Sequence, residues 1–169
     1  MLLFFYFYLI LFSIFGYGYF FKENVLKIKT SNFGYIGLLG ISFLITYSYL
    51  SSLFLIHSKL HNIVVILIGF SFSMFFLYKK KLFSKKKFPQ FLIIFLVLFF
   101  FILIGKNHDD FFYYHFQYTF LLTEIQHPVG LGSFNHGFRT HSSLFFLSSF
   151  FFLPKIDFYT FHLAPAFFI

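Results

Sequence analysis

Apolar residues in this chain do not alternate with polar ones; they run in long blocks separated by short polar punctuation. Leu2–Phe21 and Phe33–Ile56 hold 20 and 24 residues without a charged side chain, and Ile63–Tyr78 and Phe91–Gly105 hold 16 and 15. A hydrocarbon core of about 30 Å takes about 20 helical residues. The two shorter blocks reach that length with help from their flanks. In lipid the backbone must hydrogen-bond to itself, so such blocks predict helices. The pattern therefore predicts an all-α, polytopic transmembrane protein with four N-terminal membrane helices in 1–105.

Residues 106–142 differ in kind, forming a polar loop of 37 residues. Within it Asp109–Gln126 contains no Gly or Pro. At about 100° per residue, Leu121, Tyr114, Ile125, Tyr118, Phe111 and Leu122 fill one apolar arc, and Asp110, Gln117 and Glu124 form a polar stripe beside it. This predicts an amphipathic helix lying on the membrane surface. Asp109 and Asp110 fall at its N-terminus, where the helix dipole and free N–H groups stabilise carboxylates. His127-Pro128 ends the pattern, and Val129-Gly130-Leu131-Gly132 turns the chain. In 143–169, Leu144–Leu153 is too short to span and either lies at the interface or re-enters. Phe158–Ile169 reads as the start of a further transmembrane helix. Because the chain stops inside an apolar stretch, an N-terminal fragment of a longer protein is expected.

Composition supports lipid as the solvent. Hydrophobic residues make up 59% of the 169 and charged residues 11%, where a soluble domain carries about 25% charged. The mean hydropathy is +0.83. A disordered chain is excluded, and a soluble globular one is disfavoured. Aromatic residues reach 28%, with 36 Phe, but Lys outnumbers Arg 12 to 1. That bias is expected of an AT-rich genome choosing among apolar residues, so the Phe count does not imply stacking or ligand binding. No basic residue precedes the first block and no small-x-small site follows it, so it reads as a retained span rather than a signal peptide. The absence of Cys excludes disulfides, thiolate zinc sites, Fe–S clusters and Cys nucleophiles.

A net charge of +8 raises nucleic acid as a partner, and position argues against it. Lys79, Lys80, Lys81, Lys85, Lys86 and Lys87 cluster between two blocks, where they serve as a cytoplasmic topology anchor or touch anionic lipid. With that cluster inside, Lys22, Lys27 and Lys29 also face inward. The turn His57–Asn62 and the loop 106–142 then face outward.

The loop gathers three of the five acids, the single Arg and five of the eight His. One of the adjacent carboxylates Asp109 and Asp110 can accept the proton of an attacking hydroxyl while its neighbour holds the geometry or a divalent cation. The pair is equally readable as helix-capping charge. Arg139 suits a phosphate, and His136 and His141 flank it. Each His also fits plain interfacial anchoring. His57 and His61 are four apart, but there is no His-His pair and no zinc-protease signature, so no metal site is assigned.

The run His108-Asp109-Asp110-Phe111-Phe112-Tyr113-Tyr114-His115, followed by the amphipathic stretch, resembles the first large external loop of GT-C-type membrane glycosyltransferases. It is most similar to an uncharacterised bacterial branch with a D-x-x-x-Y-H segment (Asp110–His115), a P-x-G-L-G turn (Pro128–Gly132) and an N-x-x-x-R-x-x-x-S run (Asn135–Ser143). Gly37, Gly40, Tyr47 and Asn62 fit that branch loosely, and the likeness covers residues 33–153. The resemblance implies a multi-pass protein of a bacterial inner (cytoplasmic) membrane, with 106–142 on the periplasmic side. It implies transfer of a sugar from a polyprenyl-phosphate donor, with Asp109 or Asp110 as base or metal partner. Arg139 would meet the phosphate, and His136, His141, Tyr113 and Asn135 would line the substrate. The lipid bilayer and a polyprenyl-phosphate-linked sugar are the expected partners, a divalent cation stays open as cofactor, and nucleic acid is not expected. The alternative is a non-enzymatic component of a glycan polymerisation or export complex, whose loop docks a partner.

Overall fold

The computed structural model describes residues 2–29, 32–80, 89, 93, 95–100, 109–139 and 142–168. Among these, three helices are long and apolar enough to cross a membrane, covering Leu2–Leu26, Phe33–Ser52 and Lys59–Lys79. The first is α1 (Leu2–Phe20), continued by a π-helical turn Phe21–Leu26; α2 is Phe33–Ser52 and α3 is Lys59–Lys80. The Asn32 side chain caps α2, accepting from the Tyr35 N–H at 3.2 Å. Lys22 in the π-helical turn is buried and paired with Glu23 at 3.1 Å. The fourth expected span, 91–105, lies largely outside the described residues, as does most of the lysine cluster from Lys81 onward. Residues 95–100 are helical. There Phe95 stacks on Tyr8, and the Tyr8 hydroxyl donates to the Phe95 carbonyl at 3.3 Å.

Helix α1 is the centre of the bundle and packs on both α2 and α3. In its most apolar stretch 61% of the residues are buried, against 28% and 39% in α2 and α3, which therefore keep outward faces. Small residues make the close crossings: Gly16 meets the Gly69 carbonyl, Gly18 that of Ile36, and Gly40 that of Ile14. In lipid, where apolar burial does not drive helices together, such close backbone approach supplies packing energy. The Tyr17 hydroxyl adds a 2.7 Å bond to the Val65 carbonyl across the α1–α3 contact.

Segment 109–168 folds back onto the end of the bundle where α2 stops and α3 starts. It contains α4 (His115–Glu124), α5 (Ser143–Ser149) and a 3-10 helix, Phe158–Phe168. Tyr118 and Leu122 of α4 pack with Phe138, Phe145 and Phe146. Phe150, Phe151, Leu153, Ile156, Leu163 and Ala164 join the core formed by α1. A tight turn, Leu153–Asp157, places Lys155 and Asp157 at φ 65° and 50°. Such backbone is held only where surroundings over-determine it. Here the Tyr6 hydroxyl bonds to the Pro154 carbonyl at 2.8 Å, and Lys59 pairs with Asp157.

Three expectations change. The helix expected over Asp109–Gln126 is split: Asp109–Phe111 is a 3-10 turn, and α4 begins only at His115. The cause lies at Tyr114, whose φ of −144° and ψ of −32° leave the helical region. Its ring sits so close to Gly137 that a methyl there would come within 2.7 Å of Tyr114 Cβ. The acids consequently do not head α4. Second, the apolar arc is not laid on a surface, because its central residues Tyr118 and Leu122 face α5. The segment Leu144–Leu153, expected at the interface or re-entering, is buried from Phe145 to Phe151 between α4 and the bundle. Third, the Phe158–Phe168 segment is 3-10 rather than α-helical, with Phe167 stacked on Phe7 of α1.

Candidate functional site

The acid pair stands on the 3-10 turn ahead of α4, with Asp109 exposed and Asp110 half-buried. The carbonyl of Asp110 closes the turn by accepting from the N–H groups of Tyr113 and Tyr114. Its carboxylate accepts a long bond, 3.4 Å, from the Tyr114 hydroxyl. Tyr114 in turn packs on Gly137, inside the 3-10 turn His136–Phe138. Arg139, next along, is exposed and donates through Nε to the Gly132 carbonyl at 3.2 Å. It borders an open cleft of about 400 Å³ with Gly130, Leu131, Gly132, Ser133 and Phe138. Gly130, at φ 83°, takes the left-handed conformation that turns the chain into this cleft.

The other expected residues divide. Asn135 is committed locally, its side chain accepting from the Gly137 N–H at 2.8 Å as a cap. His136 and Tyr113 are exposed, and His141 lies outside the described residues. Thus Tyr114 joins the acid-bearing turn to the Asn135–Arg139 run. Among the described residues, no three His, Asp or Glu side chains converge as a metal-binding group. Asp109 and Asp110 would offer a cation two carboxylates, which Mg²⁺ sites complete with water and substrate phosphate.

No family model, no curated protein and no solved structure matches the chain.

Beneath the loop lies a buried polar cluster that the sequence pattern did not single out as a unit. His57, in the α2–α3 turn, is fully buried. Its Nδ1 lies 2.7 Å from Ser149 Oγ and its Nε2 lies 3.0 Å from Ser51 Oγ. Each hydroxyl also lies within bonding distance of a backbone carbonyl, Ser149 Oγ of Phe146 and Ser51 Oγ of Ser48, and in the neutral ring one nitrogen donates and the other accepts. Burial pushes the His57 imidazole down to about 4, and the neighbouring His61 adds to the effect. Asn62, also fully buried, directs its Nδ2 to three carbonyls: His57 at 2.9 Å, Ser149 at 2.8 Å and Phe152 at 3.1 Å. Its Oδ1 takes the Nδ1–H of His61, whose Nε2 then accepts from Tyr47 at 3.2 Å.

A histidine between two serine hydroxyls invites a nucleophilic reading, but the geometry excludes it. Both hydroxyls lie against backbone carbonyls, and His57 is fully buried with no open face for a substrate. The cluster instead satisfies the carbonyls at the buried end of α5, helped by Ser48 Oγ on the Phe146 carbonyl at 2.7 Å. It positions the loop on the bundle. The available signal was a polar punctuation, Ser51-Ser52 and His57-Ser58 with His61-Asn62, around an apolar turn in a chain this poor in polar residues.

Proposed function

We propose that the chain is a multi-pass protein of a bacterial inner membrane, and that its outward segment serves a GT-C-like transfer of a sugar from a polyprenyl-phosphate donor. The observation that carries this reading is the fastening of the acid pair. Asp110 is tied through Tyr114 and Gly137 to the run that carries Arg139, so carboxylates and a guanidinium belong to one folded unit. That unit sits at the end of helices apolar enough for lipid. Asp110 or Asp109 takes the proton of an acceptor hydroxyl as its oxygen bonds to the sugar carbon, and the bond from that carbon to the lipid phosphate breaks. The remaining N–H groups of Arg139 neutralise the departing phosphate. A divalent cation, if bound, would be held by Asp109 and Asp110 and would supply positive charge against the departing phosphate.

The test is transfer from a polyprenyl-phosphate sugar in membrane vesicles containing the protein. Replacing both acids (Asp109→Asn with Asp110→Asn) is expected to lower turnover by about 10²-fold or more while membrane insertion is kept. Undiminished transfer by the double variant removes the catalytic assignment. If Glu124→Lys then abolishes function in cells, the docking component of a glycan export or polymerisation complex becomes the better reading.

A further inference from the structure

The α2–α3 turn reads Leu53-Phe54-Leu55-Ile56, four consecutive apolar residues that are 49%, 72%, 50% and 40% exposed. In water such a run is not tolerated without a cover. The turn does not stand alone. It runs antiparallel to 122–127, joined by His57 N–H to the Leu122 carbonyl (3.1 Å), Gln126 Nε2 to the Phe54 carbonyl (3.0 Å) and His127 N–H to the Ser52 carbonyl (2.7 Å). Ile125, 44% exposed, therefore lies beside Phe54, and Val129, 86% exposed, follows just beyond Pro128.

What covers this patch follows from where it leads. The exposed residues of α2 recur at Tyr35, Leu38, Ser42, Thr46 and Leu50, three or four apart, so they form one stripe along the helix. Thr46 folds its hydroxyl back onto the Ser42 carbonyl at 2.9 Å, which takes one donor out of the stripe. Leu53 and Phe54 continue it past the end of the helix, three and four residues after Leu50. The patch is thus the end of the strip that α2 turns toward lipid. Its rim is charged, since the exposed Glu124 precedes Ile125. A charged rim on an apolar patch suits the headgroup boundary rather than the hydrocarbon centre.

We propose that the protein rests its outward segment in the headgroup layer of the bilayer through this patch, Leu53–Ile56 with Ile125 and Val129, rather than through the apolar face of α4. The proposal rests on the membrane reading above and adds the depth at which the acid-bearing loop is held. The chain has no Cys, so single Cys residues carrying a spin label can be placed at Phe54, Ile125 and Val129, with Leu38 and Glu124 as references. All five side chains are exposed, so the labels displace no core residue. The labelled proteins are reconstituted in phosphatidylcholine–phosphatidylglycerol vesicles, and collision with oxygen is compared with collision with a water-soluble nickel chelate. The expected oxygen-to-nickel ratio at the three patch positions is several-fold above that at Glu124 and below that at Leu38. Values equal to Glu124, with Leu38 still lipid-like, overturn this proposal and leave the membrane reading standing. A water-like Leu38 overturns the membrane reading itself. Poor access of both reagents to the patch overturns the proposal in favour of a protein cover, such as a second copy.

Discussion

Asn62 shows what one side chain does here. Three carbonyls separated by up to 95 positions in sequence meet its amide nitrogen, and its oxygen fixes the proton on His61. Replacing Asn62 with Ala leaves buried carbonyls without a donor, a loss of ~1–3 kcal/mol. Asn62→Asp keeps an acceptor for His61 but supplies no donor and buries a charge, so it is expected to be at least as damaging. Thermal unfolding in detergent measures both; an unchanged midpoint for the Ala variant would show that the three carbonyls find other donors. The acid pair was visible in the sequence as two adjacent carboxylates in a polar loop, whereas the bond from Tyr114 to the second of them was not. The roles of Asn62 and His57 were not, because Ser149 and Phe152 lie 87 and 90 residues from Asn62. Nor was the local use of Asn135 as a cap, since only the 3-10 turn at His136–Phe138 reveals it.

At the scale of elements, length and the absence of charge were enough to predict the three long helices, since an α-helix satisfies its backbone by local bonds. How they cross depended on which glycines meet which carbonyls. A methyl added at Gly40 would press into the Ile14 carbonyl, whereas one added at Gly37 would lie an ordinary 3.8 Å from the ring of Phe15. Gly40→Ala is therefore expected to part α1 from α2 and cost ~1–3 kcal/mol, with Gly37→Ala close to neutral. The midpoint of unfolding in detergent separates the two, and equal effects would sink the close-crossing account. The break between Asp109–Phe111 and α4 escaped the periodicity because it is made by a tertiary contact, Tyr114 on Gly137. Helical arithmetic placed Tyr118 and Leu122 on one face but could not say what that face meets.

For the whole molecule, the joint between loop and bundle is the part that responds to pH. His57 is neutral in the folded state, with a pKa near 4, while in the unfolded chain an imidazole titrates near 6.5. Between those values the unfolded chain binds more protons, so the stability present above pH 6.5 is lost as pH falls toward 4. The unfolding midpoint is expected to drop over that window. In His57→Gln it should start lower and fall less steeply, and an equal slope would place the pH response in other groups, with His61 the nearest. By itself the sequence determined the helical class and the apolar blocks of spanning length, because in lipid such blocks leave the backbone no alternative to the helix. Only the tertiary structure decided which apolar faces meet protein and which stay outward, and how the buried histidine and asparagine are satisfied. The physical reason is that lipid and protein interiors are almost equally apolar, so burial alone does not distinguish them; close backbone contacts and long-range hydrogen bonds do.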